Sequence, residues 1–375
     1  MMGVMPYATH AEIDLSAVEF NLTQVRSLIG ERRVLAAVKA NAYGHGAVAV
    51  ARHIEQTGAA DWLGVATVDE GAELREAGVG LPILKLSHCF DDELDAALAA
   101  DLALTVVNEA TMREADAAAA RAGRCVSVHL KIDTGMRRIG AEPSEAVRLA
   151  QCVDSATSLR LEGVFTHLPI SDHPRGAEFT RAQLGLFETL VAEIEAARGP
   201  VELVHAANSG AILSHDLGRT TLARPGIMIY GHYPDRATPR TVELRKALRL
   251  VSRVSFVKRI DAGETVGYGR TYTASEPTHI ATVPIGYADG YSRKLSNRGR
   301  VLIGGRSHPI AGTVCMDQIM VDLGPEPPGV SVGDGVTLIG RDGEEEITVD
   351  EIAELMGTIP YEVTCLLSPR VSREY

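Results

Sequence analysis

The stretch "CVSVHLKID", Cys125 to Asp133, decides the fold. Val126, Val128, Leu130 and Ile132 fall on one parity, and Ser127, His129, Lys131 and Asp133 on the other. Alternation of this kind marks a strand, because successive side chains of a strand point to opposite faces. Read as one stave of a barrel, the apolar set suits an outer layer of helices. The polar set then points inward and is richest toward the carboxyl end of the strand, where barrel enzymes keep their catalytic groups.

Working outward, the same kind of segment recurs. Apolar runs at residues 34–40, 61–67, 81–87, 102–107, 124–132, 160–167, 201–207 and 221–231 read as strands. The segments between most of them are rich in Ala, Glu, Leu and Arg and read as helices. "DDELDAALAA" at 91–100 and "NEATMREADAAAARAG" at 108–123 are the clearest, the second ending on a glycine where a helix can stop. The link around residues 209–219 is the shortest. Eight strand–helix units imply parallel pairing and a closed (β/α)8 TIM-type barrel. A doubly wound nucleotide-binding sheet is the competing arrangement, but no GxGxxG follows the first strand.

After Gly231 the texture changes to short β runs divided by Gly and Asp turns, as in "GRVLIGGRSHPIAGTVCMDQIMVDLG" at 299–324. The expected organisation is therefore a barrel over residues 1–236 followed by a mostly β domain over 237–375. "AEIDL" at 11–15 reads as a further strand with a helix after it, from about Ser16 to Ile29. Its pattern leaves open whether residues 1–14 pair with the barrel or with the β domain.

Composition limits the function classes. The 375 residues are too many for one ordinary core, and 45% hydrophobic with 23% charged residues is a globular balance. A net charge of -12 argues against nucleic acid, and no polybasic run marks an anionic membrane surface. Cys89, Cys125, Cys152, Cys315 and Cys365 are odd in number and widely spaced, so neither a disulfide framework nor a cysteine zinc site is expected. The N-terminus lacks a basic segment followed by an apolar one, and no run is long enough to span a bilayer, so a cytoplasmic protein is expected.

The chemistry gathers at strand ends. Lys39 closes the first strand in "RVLAAVKANAYGHG" at 33–46. A solvated lysine is the default for a strand terminus. A lysine at the carboxyl end of a barrel strand, among small and apolar residues, is instead partly desolvated, and its amine is a better nucleophile or base. Lys131, Asp133 and Arg138 follow the fifth strand, Thr166 and His167 the sixth, Asn208 and Ser209 the seventh, and Arg224, Gly226 and Ile227 the eighth. Any one of these is ordinary as a capped turn, whereas a ring of them around one opening is not. The loops after strands seven and eight are the usual phosphate site of this barrel. A reactive lysine and a phosphate cradle in one mouth suggest pyridoxal phosphate.

These segments resemble the alanine racemase family. The matching motifs are "VKANAYGHG" at 38–46, "KIDTGMRRIG" at 131–140, "HAANSGA" at 205–211, "ARPGI" at 223–227, "VGYGRTYTA" at 266–274, "VPIGYADGY" at 283–291, "GTVCMDQIMVD" at 312–322 and "YEVTCLLSPRV" at 361–371. They span nearly the whole chain and both expected domains. The resemblance implies a fold-type III pyridoxal phosphate enzyme that interconverts L- and D-alanine for peptidoglycan synthesis as a head-to-tail homodimer. Lys39 matches the lysine that carries the cofactor and serves as the base for the D-enantiomer. Tyr268 matches the opposing base, donated to the partner subunit's site. Arg224 matches the arginine facing the pyridine nitrogen, and His167 the histidine beside the ring. Tyr43, Asn208, Ser209, Gly226, Ile227 and Tyr361 match cofactor-binding positions. Arg138 and Met316, with Asp317 beside them, match the groups that receive the substrate carboxylate. Lys131 matches a lysine that is often carbamylated in the family, and Asp172 and Tyr287 match entrance positions.

The chain departs from the family pattern in "FTHLPISDHP" at 165–174, at Lys246 and at Ser372, where small residues, proline and proline are usual. Two rival activities stay in view. A decarboxylase of the same fold needs a cysteine-bearing substrate loop, which "VCMDQ" at 314–318 does not resemble. A metal-dependent barrel hydrolase would use His129, Lys131, His167 and His205, but the first strand carries Lys39 where an HxH pair is wanted. No metal is therefore expected.

Overall fold

The computed structural model describes residues 7–326 and 329–375; residues 1–6, the start of the N-terminal stretch read above as lacking an export signal, lie outside them. The chain forms two compact units, Ser16–Arg245 and, separately, the residues up to Leu15 joined by Lys246–Tyr375. Among the described residues no helix is long and apolar enough to cross a membrane.

The first unit is a TIM-type barrel of eight parallel strands. Arg33–Ala37, Trp62–Val65, Ile83–Lys85, Leu102–Val106, Val126–Lys131, Leu159–Phe165 and Leu203–His205 pair in sequence order, and Leu222–Ala223 pairs with the first of them. The ring is drawn shut between strands seven and eight by Thr221 N–H to Val204 O and Arg224 N–H to Ala207 O, each 2.8 Å. Leu35, Trp62, Leu84, Ala103, Leu203 and Leu222 form one buried layer inside it. Each fully buried side chain of this size contributes about 1.5–3 kcal/mol. His129 and Lys131 reach the interior as the alternation in "CVSVHLKID" requires, since His129 touches Trp62 and His205 on strands two and seven.

The connecting helices begin where side chains can satisfy the free amides of a first turn. Thr67 and Glu70 form a reciprocal cap for Val68–Glu76, and Asn108 and Thr111 do the same for Glu109–Arg121. The last connection is a six-residue helix, Ser209–Ser214, capped by Asn208.

The segment after the first strand departs from any regular pattern. Ala40, Asn41, Ala42 and Tyr43 have φ of 51°, 53°, 52° and 53°, one turn of left-handed helix. Such a conformation costs L-residues about 1–2 kcal/mol each, so tertiary contacts must hold it. Glu70 Oε1 accepts from Ala40 N–H at 2.6 Å and Asn41 Oδ1 from Ala47 N–H at 2.8 Å. The His45 ring, stacked 4.4 Å from Tyr230, donates from Nδ1 to the carbonyls of Ala42 and Tyr43 at 3.0 Å. Tyr230 in turn donates to Ala37 O at 2.8 Å. His45 thus ties off the carbonyls of the left-handed turn.

The second unit is mostly β. One sheet runs Arg306–Pro309, Arg300–Ile303, Gly335–Asp342, Leu248–Arg253, His10–Ile13, Ser372–Glu374; another runs Phe256–Ile260, Thr278–Val283, Ile319–Gly324. The N-terminal strand therefore belongs to the β unit, antiparallel to Leu248–Arg253 with Ala11 opposite Leu250. The expected boundary at 236/237 moves to Arg245/Lys246. The reason is a contact distant in sequence: Asn21 holds Arg245 through both of its backbone groups at 2.8 Å, and the guanidinium lies 3.6 Å from the centre of the Phe20 ring.

In a right-handed helix an exposed Ala→Gly substitution loses about 1 kcal/mol. Ala40→Gly removes a Cβ from a left-handed position and is expected to leave the protein as stable or to stabilise it by up to about 1 kcal/mol in urea unfolding. A loss as large as in an ordinary helix would contradict the geometry.

Candidate active site

The carboxyl ends of the barrel strands bring together Lys39, Lys131, Arg138, His167 and Arg224. Each of the other four acts electrostatically on His167. Lys131 is buried and pushed down to about 7, first by burial and then by Arg224, Arg138 and Lys39, with Asp133 pulling the other way. Asp133 offers little relief, because Oδ1 is engaged with the amides of Gly135 and Arg137 at 2.8 and 3.0 Å. The His167 ring is held far below its usual range by burial and the same cations, so it is neutral.

Arg224 is 6% exposed, and burial pushes it down to about 9, which leaves it cationic at neutral pH. Its guanidinium is fixed by Thr166 O at 2.8 Å, Ala206 O at 3.2 Å, His205 Nδ1 at 2.9 Å and His167 Nδ1 at 3.4 Å. The Phe165 ring lies against both Arg224 and Lys131, at 5.3 and 5.1 Å.

A second cluster joins the loops after strands one, seven and eight. The buried Ser209 Oγ accepts from Gly226 N–H at 2.9 Å and Met228 N–H at 3.4 Å. A Cβ at Gly226 would lie 2.6 Å from Tyr43 Oη, so only glycine leaves this tyrosine its place. Ile227 opens the short 3-10 turn that follows. Tyr43, Ser209, Gly226 and Ile227 are therefore gathered at one spot beside the basic groups. Asn208 differs in detail: its side chain caps Ala211 N–H and binds Leu168 O and Ser171 Oγ, so it secures the loop that departs from the family pattern. Asp172 in that loop is tied through its carbonyl to Thr238 at 2.8 Å, and burial raises its carboxyl.

The remaining sequence-predicted residues lie in the β unit. Tyr268, Tyr287, Met316 and Asp317 line one surface depression. Tyr268 is 74% exposed, on a turn where Gly267 and Gly269 have φ of 72° and 73°. Thr313 holds the Tyr268 carbonyl at 3.0 Å, and Asp317 pairs with Arg370 at 2.9 Å. Tyr361 sits on the helix Pro360–Cys365 and is not among the lining residues.

Two of the four ligands of the metal reading, His129 and His205, bind each other at 2.8 Å, and His205 also binds Arg224, so their nitrogens do not converge on a common point. Among the described residues no three His, Cys, Asp or Glu side chains are grouped to hold a metal ion. Sequence reasoning missed Glu162 and Phe165 at this site. A glutamate inside the apolar run "RLEGVF" was the available signal for the first.

These features define a barrel that gathers basic side chains where its strands end. The comparisons with known proteins narrow the class. Residues 13–234 match the alanine racemase N-terminal domain family and residues 247–375 its C-terminal domain family. The chain is 55% identical over 368 residues to the alanine racemase of Cutibacterium acnes, covering 98% of each chain, and 44% identical over 373 residues to that of Symbiobacterium thermophilum, covering 100% and 98%. A solved alanine racemase of Clostridium difficile superposes with a TM-score of 0.93 at 37% identity, covering 99% of this chain and 96% of that one. One from Bartonella henselae with covalently bound pyridoxal phosphate superposes with a TM-score of 0.87 at 27% identity, covering 99% and 100%. The chain belongs to the alanine racemase family, enzymes that isomerise an amino acid.

The depressed Lys131 makes a pH prediction. Between about 7 and its ordinary 10.5 the unfolded lysine carries a proton that the folded one lacks, so this site's penalty is full below pH 7 and fades as pH rises. In carbonate-free buffer, raising the pH from 7 to 10 is expected to improve the urea midpoint of the wild type more than that of Lys131→Met. Equal responses would contradict the burial of a cationic lysine.

Proposed function

We propose that the protein interconverts L- and D-alanine with pyridoxal phosphate, using one base on each face of the substrate. The observation that carries this reading is the gathering of buried Lys131 and Arg224 with half-buried Lys39 and exposed Arg138 beside the Tyr43–Ser209–Gly226 cradle. Basic groups gathered in this way suit a ligand that brings a phosphate, together with a substrate that brings a carboxylate. The cradle fits a phosphate by its chemistry: a hydroxyl, a phenol and a backbone that no side chain at Gly226 obstructs.

The cofactor, when bound, supplies an electron sink that acidifies the substrate Cα–H. Lys39 Nζ holds the cofactor and takes or returns the proton on one face. Tyr268 of the partner subunit does so with Oη on the other face. Arg138 and Met316 receive the substrate carboxylate, with Asp317 beside them, and Tyr361 completes the phosphate contacts. Arg224 would offer N–H groups to the ring nitrogen of the cofactor and keep its own proton, which would favour racemisation over transamination. Lys131, whose neutral amine is well populated near pH 7, is suited to form an N–C bond to CO2 with release of a proton to solvent, and the resulting carbamate would hold Arg138. Asp172 and Tyr287 stand at the entrance. A homodimer acting in the cytoplasm to supply D-alanine for peptidoglycan completes the reading.

The test is incubation of the protein with pyridoxal phosphate and L-alanine, read by chiral chromatography. D-alanine is expected; release of CO2 without D-alanine would replace racemisation by decarboxylation. Lys39→Ala is expected to lose both the visible absorbance of bound cofactor and all turnover, and retention of both would remove Lys39 from the site. Tyr268→Phe is expected to slow solvent-deuterium exchange into L-alanine by about 100-fold or more, the usual worth of a positioned base. An unchanged exchange rate would exclude that role.

A further inference from the structure

Beneath the mouth, behind Arg224, the barrel interior carries a row of polar groups that none of the steps above employs. Arg224 Nη1 donates to His205 Nδ1 at 2.9 Å, and His205 Nε2 lies 2.8 Å from His129 Nδ1. His129 Nε2 then faces Glu162 Oε2 at 3.7 Å. Both of these last atoms are buried, and neither has a hydrogen-bond partner. The other Glu162 oxygen accepts from Arg160 Nη2 at 2.7 Å, and that nitrogen also reaches Ser127. His129 and His205 are fully buried and Glu162 is 8% exposed.

The row has one consistent set of proton positions. A guanidinium only donates, so His205 must present a bare Nδ1. Burial keeps His205 neutral, and its proton is then on Nε2 and points at His129 Nδ1. His129 is also held neutral by burial against the pull of Glu162, which places its proton on Nε2. That proton needs an acceptor, and the facing group is the Glu162 carboxylate. The fold makes room for this arrangement: a Cβ at Gly163, in the middle of strand six, would lie 2.4 Å from His129 Nδ1. Phe165 stacks on His205 at 4.7 Å and 4°, which fixes that ring's plane.

We propose that Glu162, on the floor of the barrel, is a positioning residue for Arg224: through His129 and His205 it fixes which nitrogen of each ring is protonated, so that Arg224 always meets an acceptor. The inference rests on the reading of Arg224 as the group facing the cofactor ring. It explains why a buried guanidinium has no acid beside it. A carboxylate in direct contact would compete for the N–H groups that the ring nitrogen needs, whereas one reached through two imidazoles supplies counter-charge from behind. The ordinary alternative is that Glu162 only anchors Arg160, since the floor of such a barrel usually serves stability.

The two are separated by 15N NMR of selectively labelled histidine imidazoles in the cofactor-free protein, compared among wild type, Glu162→Leu, Glu162→Gln and Arg160→Ala. Wild type is expected to show both His129 and His205 protonated on Nε2. Glu162→Leu is expected to change the tautomer signals of both rings. The near-isosteric Glu162→Gln guards against misfolding and should move the same signals, less far. Arg160→Ala should leave them unchanged. Pyridoxal phosphate, added as the probe, should bind Glu162→Leu about five-fold or more weakly, the loss expected for one misdirected hydrogen bond. Unchanged imidazole signals in both Glu162 variants, or the same changes in Arg160→Ala, would overturn the proposal. A wild type with the expected tautomers that does not retain the cofactor would instead overturn the cofactor reading and leave the relay standing.

Discussion

Uncompensated positive charge in a buried place is the constraint on which this structure turns. Lys131 and Arg224 are both largely removed from water and share one aromatic ring, with Lys39 and Arg138 near enough to act on Lys131. Like charges so arranged are costly where water cannot screen them. The fold answers in three ways. Neutral imidazoles and backbone carbonyls surround the guanidinium, the Lys131 amine gives up much of its charge near neutral pH, and Glu162 stands behind the histidines. What remains is a site poised for an anion.

Placement of that charge depends on local backbone strain. Lys39 lies just past the end of the strand Arg33–Ala37, the four residues after it wind left-handed, and the contacts holding that turn come from Glu70, Asn41, His45 and Tyr230. Strain of this kind persists only when its surroundings over-determine it. The same turn delivers Tyr43 to within contact of Gly226, on the last strand's loop. One turn therefore sets the positions of both Lys39 and the Tyr43 phenol.

Much of this was legible because periodicity and position carry physical meaning. The alternation in "CVSVHLKID" named the inward set correctly, since a strand has only two faces. Polar residues at strand ends were legible for the same reason. The left-handed turn was not, because "KANAY" has ordinary helix-forming residues and its handedness comes from distant partners. Glu162 was hidden inside an apolar run, where one charged residue reads as an irregularity until its histidine neighbour is seen. The unit boundary moved because Asn21 grips Arg245 across more than two hundred residues, which no local pattern records. Pairing of the N-terminal strand was undecidable for the same reason, as its partner is Leu248–Arg253.

The measurement closest to the central claim compares thermal unfolding of the cofactor-free protein with excess pyridoxal phosphate and with excess pyridoxal, which keeps the aldehyde and lacks the phosphate. If buried, uncompensated positive charge defines the site, the phosphorylated compound raises the melting temperature by several degrees and pyridoxal does so far less. Equal stabilisation by the two, or none by either, would contradict the account.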